Sequence, residues 1–278
     1  MVGLVAWMFT AALLYAAVLV KLVRQWAADE TYSHGFLVAP IALFLLWQQR
    51  DRLKQTPIHP SSFGLVVIAG SLALYALGSL GAELFLTRVS LIGVLAGTVL
   101  FAFGWRHLRV VAFPLGFLIF MIPLPAVVFD RVAVSLQLVA SQLGEQLLRS
   151  VNVPVLRDGN LLTLATITLE VNDACSGIRS LMALLCVATL IGHFSASTPA
   201  RHWSIALAAI PVAIALNGVR IAMTGLAASR FGPAVASGTI HAASGWVVFV
   251  VALAVVWALH RALGSSTGGW AAPRLTPA

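Results

Sequence analysis

The chain has 278 residues, of which 60% are hydrophobic and only 9% charged, against about 25% charged in an average soluble domain; that excludes a soluble globular protein. The formal net charge of +8 comes with no basic cluster interleaved with aromatics, so nucleic acid is excluded as a partner, and loop Lys and Arg are what membrane topology requires. A spanning helix needs about 20 apolar residues, so eight spans would use about 160 and leave the rest for loops; the class predicted is an all-α polytopic membrane protein seated in the lipid bilayer.

The first apolar run, about residues 3–23, lacks a basic leading segment and a small-residue cleavage site, and reads as a retained helix rather than a secretory signal. Further runs at about 35–49, 63–80, 89–104, 110–128, 177–194, 203–224 and 241–260 bring the number of predicted transmembrane helices to eight. Between spans five and six the connection from Asp130 to Asp173 has room for other structure. Val132, Leu136, Val139, Leu143 and Leu147 fall at helical spacing and predict a small amphipathic helix along the outer face. Val153–Leu156 and Leu161–Val171 are rich in Val, Thr, Ile and Leu around Arg157-Asp158-Gly159-Asn160, which predicts a β-hairpin. Residues 1–263 then form a single transmembrane domain, and the Gly/Ser/Pro-containing tail, 264–278, is expected to be disordered and cytoplasmic.

Charge orients the spans. Arg50, Arg52, Lys54, Arg106, Arg109, Arg201, Arg261 and Arg274 share one side with only Asp51, net +7, while the other side nets +1. The positive-inside rule makes the first side cytoplasmic. Lys21 and Arg24, at the outer end of span one, oppose that assignment.

Three polar positions interrupt the apolar pattern. Cys175 lies in Asn172-Asp173-Ala174-Cys175-Ser176-Gly177-Ile178-Arg179-Ser180, just ahead of span six. Unpaired N–H groups and the positive end of a helix dipole stabilise a thiolate there, and can also receive an oxyanion; the plainer reading is a small packing residue. Cys186, three turns deeper among Leu184, Leu185 and Val187, fits that plainer reading. Eleven residues along one helix separate the two sulfurs by about 16 Å, so both are expected to be free thiols. Arg220, in Asn217-Gly218-Val219-Arg220-Ile221, places a guanidinium near the outer end of an apolar span. An arginine at mid-helix costs about 2.5–3.5 kcal/mol, so it marks either a functional pocket or a side chain that snorkels to the headgroups. His241 opens span eight, where an imidazole is either a proton donor for a cysteine or an interfacial hydrogen-bonder.

The predicted topology lands all three at one depth on the outer side, where small residues of spans seven and eight (Ala213, Ala215, Gly218, Ala222, Gly225, Ala242, Ala243, Gly245) let those helices approach. A Cys–His pair with an Arg for oxyanion charge is an acyl-transfer constellation. No metal-ligand spacing and no phosphate-binding glycine loop occurs, so neither a metal nor a cofactor is expected.

The chain resembles the exosortases of the exosortase/archaeosortase superfamily. The resemblance rests on Ala174-Cys175-Ser176-Gly177-Ile178-Arg179-Ser180, on Asn217-Gly218-Val219-Arg220-Ile221, on His241, and on Tyr32-Ser33-His34-Gly35-Phe36-Leu37-Val38-Ala39-Pro40. It implies Cys175, Arg220 and His241 as catalytic residues, with His at the last position pointing to the bacterial branch. It also implies a cysteine transpeptidase of the bacterial inner membrane, active toward the periplasm. Its partners would be exported proteins ending in a short motif, a transmembrane helix and a basic tail, as in PEP-CTERM proteins. The acceptor would be a surface lipid or polysaccharide. His34 either touches such a site or caps a helix; Arg179 either adds positive potential to the thiolate or pairs with Asp173 or Glu170. The competing readings are a membrane transporter, with polar residues spread through the bilayer depth, and a non-catalytic factor for surface-polysaccharide assembly.

Overall fold

The structure is a computed structural model that describes residues 2–165, 167–172, 176–195, 198–232 and 238–264. Its helices cluster into two compact units, Met1–Phe129 and Asp130–Ala278. Seven described helices are long and apolar enough to cross a membrane, close to the eight expected, and a small three-stranded sheet accompanies them.

In the first unit α1 (Val2–Ala28) is followed by a 3-10 turn at Glu30–Tyr32, then α2 (Gly35–Gln48), α3 (Arg50–Gln55), α4 (Phe63–Leu80), α5 (Leu84–Phe103) and α6 (Trp105–Phe117). The predicted second span is present as α2, but its 14 residues rise only about 21 Å, short of the roughly 30 Å hydrocarbon core. The predicted fifth span is broken. After α6 comes a 3-10 turn, Leu118–Met121, and then extended backbone through Pro123 and Pro125 before α7 begins at Ala126. Proline lacks an N–H and pushes its predecessor out of the helical region, so this pair ends the helix.

The pairing of α4 with α5 rests on glycine. Gly93 and Gly97, four residues apart on α5, face Ser71 and Ile68 of α4; a Cβ on Gly97 would come within 2.8 Å of Ile68. This small-residue spacing brings membrane helices together where lipid supplies no hydrophobic drive. Against α5 lies α1, tied by hydroxyls. Tyr15 and Ser90 share a 2.8 Å hydrogen bond, and Trp7 Nε1 donates to Thr98 Oγ1 at 2.9 Å. The opposite face of α1 leaves Val5, Phe9 and Leu13 more than 60% exposed, as a lipid-facing stripe would be.

The second unit holds the rest of α7 (Ala126–Ser150), the strands β1 (Val155–Asp158), β2 (Leu161–Leu164) and β3 (Thr168–Glu170), and helices α8 (Ile178–Ser195), α9 (Pro199–Phe231) and α10 (Gly238–Gly264). The hairpin gains a third strand. β1 and β2 pair antiparallel with Asp158 opposite Leu161, and the chain reverses again so that β3 pairs with β2, Leu161 opposite Glu170. The inner face of this meander (Leu162, Leu164, Val171) packs with Ala140 and Leu148 of α7 and Ile221 and Ala222 of α9.

The helix predicted over Asp130–Ser150 exists, with a different packed face. Buried positions are Ala133, Ala140, Ser141, Gly144 and Leu148, whereas Val132, Val139 and Leu147 are exposed. Between membrane helices small residues make the contact and large apolar ones turn outward. Gly144 takes the Ile221 side chain of α9, and Gly218 of α9 takes Leu143. Small residues of α9 thus meet α7 as well as α10. A second core joins three helices: Leu181, Leu184 and Ala188 of α8, Ile205, Ala209 and Ala213 of α9, and Ala252 and Val256 of α10. The tail beyond residue 264 lies outside the described residues.

Candidate active site

α9 carries a buried stripe every fourth residue, Ile205, Ala209, Ala213, Asn217, Ile221 and Gly225, the spacing that keeps side chains on one helix face. Asn217, 4% exposed, breaks this aliphatic row with a carboxamide. Arg220 follows at i+3, on the adjoining face, and is 8% exposed. A guanidinium this buried does not snorkel. Its Nε donates to Ser244 Oγ of α10 at 3.2 Å, and Gly245 lies flat against it: a Cβ there would stand 3.4 Å from Arg220 Cζ.

The start of α8 completes the arrangement. Ser176, 2% exposed, accepts from the Ile178 N–H at 3.3 Å through its hydroxyl. Gly177 has φ +81, and a Cβ on it would lie 2.8 Å from Asn217 Cγ; both the left-handed backbone and the close approach call for glycine. Ser176, Gly177 and Asn217 line a small cleft, open on one side, together with Leu136 and Ala140 of α7, Leu181 of α8, and Ala213 and Ile214 of α9.

Of the three candidate catalytic residues, the structure describes the side chain of Arg220. Cys175 lies outside the described residues, three positions before the first residue of α8. Position 241 falls on α10, but its imidazole lies outside the described side chains. Their described neighbours do come together: Gly177 meets Asn217, and Arg220 meets Ser244, one turn after position 241. Cys186 is a free, buried thiol within α8. Arg179 is exposed on the first turn of α8. His34 belongs to the first unit. It precedes α2 without a side-chain capping bond, and its Nε2 donates to the Phe120 carbonyl at 3.0 Å. Burial pushes its imidazole below the ordinary value, against the opposing pull of the Phe120 and Thr31 carbonyls. Sequence reasoning did not single out Ser244, because a lone serine at the mouth of a helix carries no distinctive signal.

The fold is that of a multi-pass membrane protein whose second unit gathers an amide, a guanidinium and two hydroxyls where three helices meet. Residues 26–258 match the model of the transmembrane exosortase family, and the chain belongs to that family. No curated protein and no solved structure matches it.

Proposed function

We propose that the chain is a membrane-embedded cysteine peptidase and transpeptidase of the bacterial inner membrane. It cleaves the C-terminal sorting signal of exported proteins on the periplasmic side and passes them to a nucleophile on a surface lipid or polysaccharide. The observation that carries this reading is the burial of Arg220, oriented by Ser244, on the helix whose Asn217 lines a cleft with Ser176, the residue that follows Cys175 in the chain. Holding a guanidinium in an apolar helix is costly, and the return on it is charge stabilisation where little water competes.

In this mechanism the Cys175 thiolate adds to the carbonyl carbon of the scissile peptide, and the carbonyl π electrons become an oxyanion that Arg220 stabilises. Collapse of that intermediate breaks the C–N bond. His241, as imidazolium, gives its proton to the departing amine, leaving a thioester on Cys175 and a neutral imidazole. The acceptor nucleophile, or water, then adds to the thioester while His241 takes its proton, and the thiolate leaves. The imidazolium and thiolate are thereby regenerated. A substrate ending in a short motif, a transmembrane helix and a basic tail can dock laterally against the helices, which accounts for a site within the membrane unit.

A transporter would need polar groups along its path. Between the polar groups at its two ends the three-helix core is mainly aliphatic, Leu181, Leu184, Ala188, Ile205, Ala209, Ala252 and Val256, with Thr189 a buried hydroxyl in α8, and this favours the enzyme. The test is processing in cells of a reporter bearing such a C-terminal signal. Cys175→Ala should abolish processing and Cys186→Ala should leave it intact. Retained processing in membrane-inserted Cys175→Ala would refute the reading.

A further inference from the structure

At the other end of α8, α9 and α10 lies a second polar group that the proposed reaction does not use. α8 closes with His193, α9 opens with Arg201 and His202 behind the cap residue Thr198, and α10 closes with His260 and Arg261. These side chains form one cluster. The rings of His193 and His202 lie 6.2 Å apart, Arg201 Nη2 donates to the His260 carbonyl at 3.3 Å, and Arg201 and Arg261 both act electrostatically on His260.

No Asp or Glu occurs after Asp173 in the chain, so these three helices bring no carboxylate of their own to balance the cluster. Arg201 Nε and His260 Nδ1 are buried without a hydrogen-bond partner among the described residues. A buried donor left unsatisfied costs about 1–3 kcal/mol, more on a charged group, and an anion supplied from outside would remove that cost. Trp203 and Trp257 flank the cluster, 60% and 49% exposed, and Arg261 stacks on Trp257 at 4.2 Å. Half-exposed tryptophans mark the headgroup level of a bilayer. A guanidinium fork fits a phosphate better than any other common anion of that level.

We propose that Arg201, His260 and Arg261 form a phosphate-binding site for the headgroup of an anionic phospholipid, at the end of the second unit remote from the candidate active site. The test follows thermal unfolding of the full-length protein in neutral detergent, with dioleoyl phosphatidylglycerol, dioleoyl phosphatidylcholine or sodium phosphate added. Phosphatidylglycerol should raise the midpoint by about 2–4 °C or more, and phosphatidylcholine should not. A matching rise with sodium phosphate alone would assign the site to free phosphate and overturn the lipid assignment. Arg201→Gln/Arg261→Gln should lose the rise, whereas Arg50→Gln/Arg52→Gln, which removes the same charge from the first unit, should keep it. If the first pair misfolds, Arg201→Lys answers instead, because it keeps the charge but loses the fork and should lose at least half of the rise. An equal response to both lipids, or an undiminished rise in the Arg201 variants, would overturn the proposal.

Discussion

Among the described residues each unit buries one arginine in an apolar helix, and the two are buried in different ways. Arg88, 3% exposed, lies one turn into α5; its Nε and Nη2 have no hydrogen-bond partner among the described residues, and Glu83 and Tyr32 act on it through space. Arg220 has a hydroxyl placed on its Nε, a glycine cleared in front of its plane, and a carboxamide one turn away. In the first unit no such glycine is cleared for Arg88; Gly97 instead admits Ile68 in the contact of α4 with α5. In the second, Gly177 and Gly245 make room for polar side chains. Burial alone therefore does not separate the two arginines; neighbours shaped to the guanidinium do.

Substitutions can break this contrast. The largest effect is expected from Arg220→Met: processing of a signal-bearing reporter should fall by about 10²–10³, the cost of removing one oxyanion donor, in protein that still inserts and accumulates. Arg88→Met should process normally, and its thermal midpoint should stay level or rise, because it removes a buried guanidinium whose Nε and Nη2 have no hydrogen-bond partner among the described residues. Equal loss of processing in the two variants would erase the distinction.

Gly177→Ala should cost about 1–3 kcal/mol, since it forces a left-handed residue and presses a methyl on Asn217; a lowered midpoint together with reduced processing is the expected result. The same substitution at Gly70, where a Cβ would meet nothing within 4 Å, should change neither.

The smallest effect concerns His34. Its folded-state value is depressed by burial, so as pH falls below about 6.5 the unfolded chain takes up a proton first. Stability present above that pH is lost as pH drops through the folded-state value. The midpoint of the wild type should decline over that window, and the decline should be shallower in His34→Gln.

Much of this organisation is legible in the residues. Long apolar runs mark α1, α4, α5, α8, α9 and α10, and Asn217 and Arg220 stand out because polarity within such a run is rare. The break in the fifth span is also written there, in Pro123 and Pro125, but hydropathy averages over it. The third strand escapes because the reversal between Leu164 and Ile167 carries no Gly, Pro, Asn or Asp. The packed face of α7 escapes because rules for water-soluble helices put large apolar residues inward, whereas here Ala140 and Gly144 take that place. Arg88 lies at the edge of its run and reads as a loop charge. That Ser244 meets Arg220 depends on how two distant helices pack, which no local pattern encodes.

The central claim is that the cysteine and the histidine flank Arg220 at one mouth of the second unit. The most direct measurement is thiol cross-linking in a Cys186→Ala background with a short bifunctional reagent. His241→Cys should link efficiently to Cys175, and Trp257→Cys, sixteen residues and about 24 Å further along α10, should not. Absence of a link from position 241, or equal linking from both positions, would contradict the account.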